Sequence, residues 1–246
     1  MKTKLSQIVA LAEMLALPDL RSPAMYALML VFPAMFLYLF WLVGGMKLGQ
    51  HVLFGSLIAI PMNSGIIAVP QSVVGYRYRK IQDMYVASPV TQFVYLMGNG
   101  LARLLFAIPG VLLLGSILVW SGSMPVRAIP TAAAVLILCW GVGCAIGFTL
   151  ATYMNNLTTV SQFANLLALM MVMLPPVSYP IELVSAQWRW LTLAIPTTSA
   201  AQLIKIASGV SHPTGPGYVL VCWLVLSASC VVFLWLASAK SQWREC

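Results

Sequence analysis

Charge is what this sequence has least of. Asp, Glu, Lys and Arg make up 7% of its 246 residues, against about 25% in a soluble domain. Water cannot solvate a surface so poor in charge, so lipid must do it. The acids are Glu13, Asp19, Asp83, Glu182 and Glu245, and none falls within a long apolar run. A proton- or cation-coupled carrier draws on carboxylates or histidines inside the membrane, and these are missing. The histidines are His51 and His212, both expected in loops. That excludes a serine–histidine intramembrane protease, and it leaves a metalloprotease without clustered ligands. Cys139, Cys144, Cys222, Cys230 and Cys246 form no CxxC pair. Four of them lie in apolar segments, where a thiol is a small apolar group. Phosphate-cradling glycine loops are also missing, so the chain has no nucleotide chemistry of its own. No stretch has the charge density of a soluble module, so one membrane domain is expected. No small-residue cleavage site closely follows the first apolar run, so a cleaved leader is not expected.

What the sequence has is apolar length: 61% of its residues are hydrophobic. A bilayer core about 30 Å thick takes roughly 20 apolar residues in a helix. Six runs meet that measure: Ala24 to Val43, Val52 to Val74, Phe93 to Trp120, Ala128 to Leu150, Val160 to Val177 and Gly217 to Ala239. Pro61 and Pro70 should bend the second. Leu191 to Ile204 is apolar but about half a span long and is broken by Pro196, so residues 182–205 read as a re-entrant hairpin. The fold class is therefore an all-α polytopic membrane protein with six transmembrane helices across 24–239 and a short tail, 240–246.

The formal charge of +8 lies mostly between the runs, so it reports orientation rather than nucleic-acid binding. Lys2, Lys4, Arg21, Arg77, Arg79, Lys80, Lys240 and Arg244 fall on one side, against Lys47, Arg127, Arg189 and Lys205 on the other. The positive-inside rule places both termini in the cytoplasm of a cell whose inner (plasma) membrane holds the chain. Within residues 1–23, Leu5, Ile8, Val9, Ala12, Leu15 and Ala16 recur at helical spacing, with Lys2, Lys4, Gln7 and Glu13 elsewhere on the turn. This is an amphipathic interface helix that Pro18 should end. Arg103 is the one charge inside a span, about ten residues from its cytoplasmic end; it either snorkels or pairs helices, or else contacts an anionic head group or a partner.

The most informative segment is the cytoplasmic loop after the second run, Gly75 to Thr91. Tyr78, Ile81, Met84 and Tyr85 recur at the spacing of a three-turn helix with one apolar face, stopped before Pro89. Such a helix is either a lipid anchor or a docking key for a soluble partner. Arg79-Lys80-Ile81-Gln82-Asp83-Met84-Tyr85-Val86-Ala87-Ser88-Pro89-Val90-Thr91 resembles the coupling helix of the ABC-2 (type-2 ABC exporter) permeases, with Gln82, Asp83 and Tyr85 as mild departures. Leu174-Pro175-Pro176-Val177-Ser178-Tyr179-Pro180-Ile181-Glu182-Leu183 and Trp190 to Pro196-Thr197-Thr198 resemble the family's segment before the last span, though the usual glycine is absent.

The resemblance implies a non-catalytic membrane subunit that pairs with a second copy or a homologue. A separate ABC ATPase would bind the ATP, and the chain itself would hold no cofactor. Its coupling helix is 76–88, with Arg77, Arg79, Lys80, Gln82, Asp83, Met84, Tyr85 and Ser88 as the contacting residues. A seam with sparse charge suits an apolar or amphipathic cargo such as a drug, a lipid or a lipid-linked molecule. A polysaccharide or other polar cargo is the alternative within the family. A self-sufficient carrier or channel would show intramembrane ionisable residues and an internal repeat, and neither is present.

Overall fold

The computed structural model describes residues 2–21, 31, 35, 38, 42, 49–81, 84, 91–213 and 215–239. Among them are eight helices. These are α1 (Lys2–Leu20), α2 (Gly49–Tyr78), α3 (Gln92–Trp120), α4 (Ile129–Tyr153), α5 (Leu157–Met173), α6 (Ala186–Leu193), α7 (Pro196–Ala207) and α8 (Tyr218–Ala239). Four are long and apolar enough to cross a membrane: α2, α3, α4 with the 3-10 turn before it, and α8; α5 is shorter. The expected first span, Ala24 to Val43, lies almost wholly outside the described residues. Only Val31, Met35, Tyr38 and Leu42 are seen, all helical and exposed.

The core is built around α2 and α4, with α8, α5 and α7 packed against them. Close approach comes from glycine. A methyl group added at Gly143 would lie 2.6 Å from the Met62 carbonyl oxygen, and one at Gly147 would collide with the Gly65 carbonyl. Gly143 and Gly147 form a small-xxx-small stripe, which lets two backbones meet where lipid leaves no hydrophobic drive for association. The α2 stretch they meet is a π turn, Ser64–Ala68. Pro70 follows it, and Pro70 has no N–H and crowds the carbonyl four residues back. Widening the helix relieves that conflict. The expected bend in this span therefore takes the form of one wide turn.

Several boundaries differ from expectation. The helix α1 runs past Pro18 to Leu20, because only one intrahelical bond is lost there and Arg21 N–H still reaches the Leu17 carbonyl at 3.2 Å. Its buried face is Leu11, Ala12, Leu15 and Ala16, while Leu5 and Val9 are exposed. The stripe is rotated because α1 lies against α3 at Gly98, where Leu11 fills the room a side chain would take. The fifth apolar run stops being helical at Met173, ahead of Pro175 and Pro176. Residues 186–207 form two short helices joined at Ala194 and Ile195.

Candidate functional site

The helix α2 ties the two ends of the molecule together; Gly55 and Arg77 are about 33 Å apart along it at 1.5 Å per residue. At one end, α2 takes in Tyr76 to Tyr78, so the 76–88 segment begins as the last turn of a long helix. Arg79 N–H bonds the Gly75 carbonyl at 3.1 Å and Lys80 N–H bonds the Arg77 carbonyl at 2.9 Å. Lys80 has φ 57, the left-handed conformation that ends helices. Beyond it Ile81 and Met84 are helical. Gln82, Asp83, Tyr85 and Ser88 lie outside the described residues.

The side chains at this end divide by direction. Arg77 turns inward: Nη1 donates to the Ala151 carbonyl at 2.6 Å and lies 3.5 Å from Asn155 Oδ1, clamping the end of α2 to the end of α4. Tyr78, Arg79, Lys80 and Met84 are exposed. Two apolar groups, Tyr78 and Met84, and two cations, Arg79 and Lys80, are thus exposed along this segment. Of the expected coupling residues, then, the structure groups Tyr78's neighbours Arg79, Lys80 and Met84 outward, while Arg77 braces them. Ala151 and Asn155 were missed because nothing in the sequence links them to position 77; that pairing exists only once α2 and α4 are packed.

Behind this end runs a buried polar ladder. Tyr95, Asn99 and Arg103 are spaced one turn apart on α3. Asn99 is fully buried, and its Oδ1 lies 3.0 Å from Ser72 Oγ on α2, which also lies 2.8 Å from the Val69 carbonyl. Trp140 Nε1 donates to the Gly100 carbonyl at 3.1 Å. Arg103 is half-buried one turn beyond Asn99 on α3. The i, i+4, i+8 spacing of these three residues was the signal available in the sequence.

The opposite end corrects two expectations. His51 is not in a loop. It is half-buried and helical, within the described part of α2. Lys205 is not a loop charge either. It is fully buried near the end of α7, whose residues Pro196 to Lys205 are all buried. Its Nζ donates to the carbonyls of Val177 at 2.8 Å, Tyr179 at 3.1 Å and Pro176 at 3.4 Å. Burial lowers the Lys205 pKa from its ordinary value and the Glu182 carboxylate pulls it back up. His212 is exposed in the loop after α7, as expected.

Cys139, Cys144, Cys222 and Cys230 are free and buried. Among the described residues no group of His, Cys, Asp and Glu is placed to hold a metal ion. No curated protein matches the chain. The family profile of the ABC-2 type transporter matches residues 6–207, from within α1 to the end of α7. The helical bundle, its apolar spans and this match agree: the chain belongs to the ABC-2 type transporter family, as a multi-pass, non-catalytic membrane permease component of an ABC transporter, a class that works with ABC ATPase subunits.

Proposed function

We propose that this chain exports an apolar or amphipathic cargo from the cytoplasm, driven by a separate ABC ATPase that docks on the 76–88 segment. The observation that carries this reading is the division of labour at the end of α2. Arg77 braces α2 against α4, while Tyr78, Arg79, Lys80 and Met84 project outward. A push on that surface reaches α2 and α4 together, and a rigid-body shift of packed helices is an established way to switch a transporter. ATP is bound by the partner, not by this chain. Drugs, lipids and lipid-linked molecules fit the low charge of the spans better than a polar polymer does.

Six spans with both termini in the cytoplasm complete the proposal, with residues 182–205 re-entering the membrane from the outer side. In support, α1 lies against the Gly98 end of α3 whereas α2 begins at the other end of the bundle. The permease is expected to work as a pair, with a second copy or a homologous permease across the seam.

The test is co-purification from membranes. An ATPase subunit is expected to come with the wild-type chain, and its absence would overturn the proposal. Met84→Pro and Asp83→Lys should each leave insertion intact and reduce ATPase retention at least tenfold. Full retention by both would refute the docking assignment.

A further inference from the structure

Lys205 takes no part in the docking surface, and a fully buried ammonium in so charge-poor a protein requires a local cause. Taking such an ion out of water costs several kcal/mol even after relaxation, unless hydrogen bonds replace its hydration. An ammonium has three N–H donors and accepts nothing. Here three carbonyls meet it, from Pro176, Val177 and Tyr179. They come from a loop containing Pro175, Pro176 and Pro180, residues that carry an acceptor but no backbone donor. The lysine supplies the donors its neighbours lack.

The other side of the fit is equally fixed. The Lys205 carbonyl accepts from Val210 N–H at 2.9 Å and from Ser211 N–H at 3.3 Å, with Gly209 at φ 77 turning the chain. This Schellman-type cap holds the root of the side chain. Thr197 Oγ1 donates to the Met171 carbonyl at 2.6 Å and anchors the start of α7 to the end of α5. The same loop presents Ser178 to α2 at Gly55. A methyl group added there would lie 2.9 Å from Ser178 Cα and 3.0 Å from its Cβ. His51, one turn earlier, lies within electrostatic reach of Lys205 and Glu182.

We propose that Lys205 holds this end of the permease shut: its ammonium fills the carbonyl cage of residues 176–179, and so keeps Ser178 seated on Gly55 of α2. The inference goes beyond the export reading and takes from it only that this end faces outward.

The experiment uses the full chain with its natural cysteines replaced by alanine and a single Ser178→Cys, in sealed vesicles of known sidedness. The probe is a membrane-impermeant maleimide. With Lys205 present, labelling should be slow. With Lys205→Met, similar in length but uncharged, it should quicken at least tenfold, while a control Ser123→Cys, also buried, stays slow. No acceleration would mean that apolar packing seats the loop, and equal acceleration at position 123 would mean general loosening; either overturns the proposal. Trace acetylation of the unaltered chain with acetic anhydride gives a second measure. Lys205 should react at least tenfold more slowly than exposed Lys4 in the folded protein and equally after unfolding, and equal rates in the folded protein overturn it. Fast labelling of the Met variant from the inner side alone would instead sink the assumed sidedness and leave the cage standing.

Discussion

Arg77 and Lys205 sit at opposite ends of the bundle, and each spends its charge on backbone carbonyls of another element. Hydrogen bonds to charged groups contribute about 1.5–3 kcal/mol. Arg77→Ala should therefore lower stability by about 2 kcal/mol, seen as a lower melting temperature in detergent, with Arg77→Lys recovering part of the loss. If Arg77 were instead purely a docking contact, the melting temperature would not move. Neither role was legible from sequence. In the sequence Arg77 reads as a contact of the coupling helix and Lys205 as an outer-side charge closing the hairpin, because hydropathy registers a lysine or arginine as the end of an apolar run. Whether a cation is solvated by water or by carbonyls depends on where prolines have stripped donors from a distant loop, and periodicity does not carry that information. Asn99 is the intermediate case, since its spacing from Tyr95 and Arg103 was readable but its partner Ser72 was not.

Among the helices, the apolar runs Phe93 to Trp120 and Ala128 to Leu150 matched α3 and α4 closely, because a membrane span is set by length and hydropathy alone. Errors gathered where an end depends on a neighbour. The face of α1 was displaced by contact with Gly98, and His51, expected in a loop, is helical within α2. The contact between α2 and α4 yields the sharpest test at this scale. Gly143→Leu places a side chain where the Met62 carbonyl already lies, so the helices must separate. Overpacking costs about 1–3 kcal/mol, occasionally more. The variant should accumulate poorly and melt well below Gly115→Leu, a control where added atoms meet open space. Equal yields and melting temperatures would show that the close approach is not needed.

For the molecule as a whole, the family and the all-helical bundle were readable from the chain, since the order of spans, loop motif and proline-rich segment is itself a linear property. What the sequence could not show is that one helix, α2, connects the surface at Arg79 with the proline loop at Ser178. The wide turn at Ser64–Ala68 works as a slack link in that connection. A π turn spreads one extra residue over about the same rotation and rise that one fewer residue covers in an α-helix, so the turn absorbs a residue and leaves the two halves of α2 nearly in register. Deleting Ile67 should therefore restore an even α-helix while Arg77 stays within reach of Ala151. The deletion variant should insert normally, keep Ser178→Cys protected and keep the stability that Arg77 supplies, so that adding Arg77→Ala to it lowers the melting temperature as it does in the unaltered chain. No further drop on adding Arg77→Ala would show that the turn, and not the α-helical ends, sets the phase of α2.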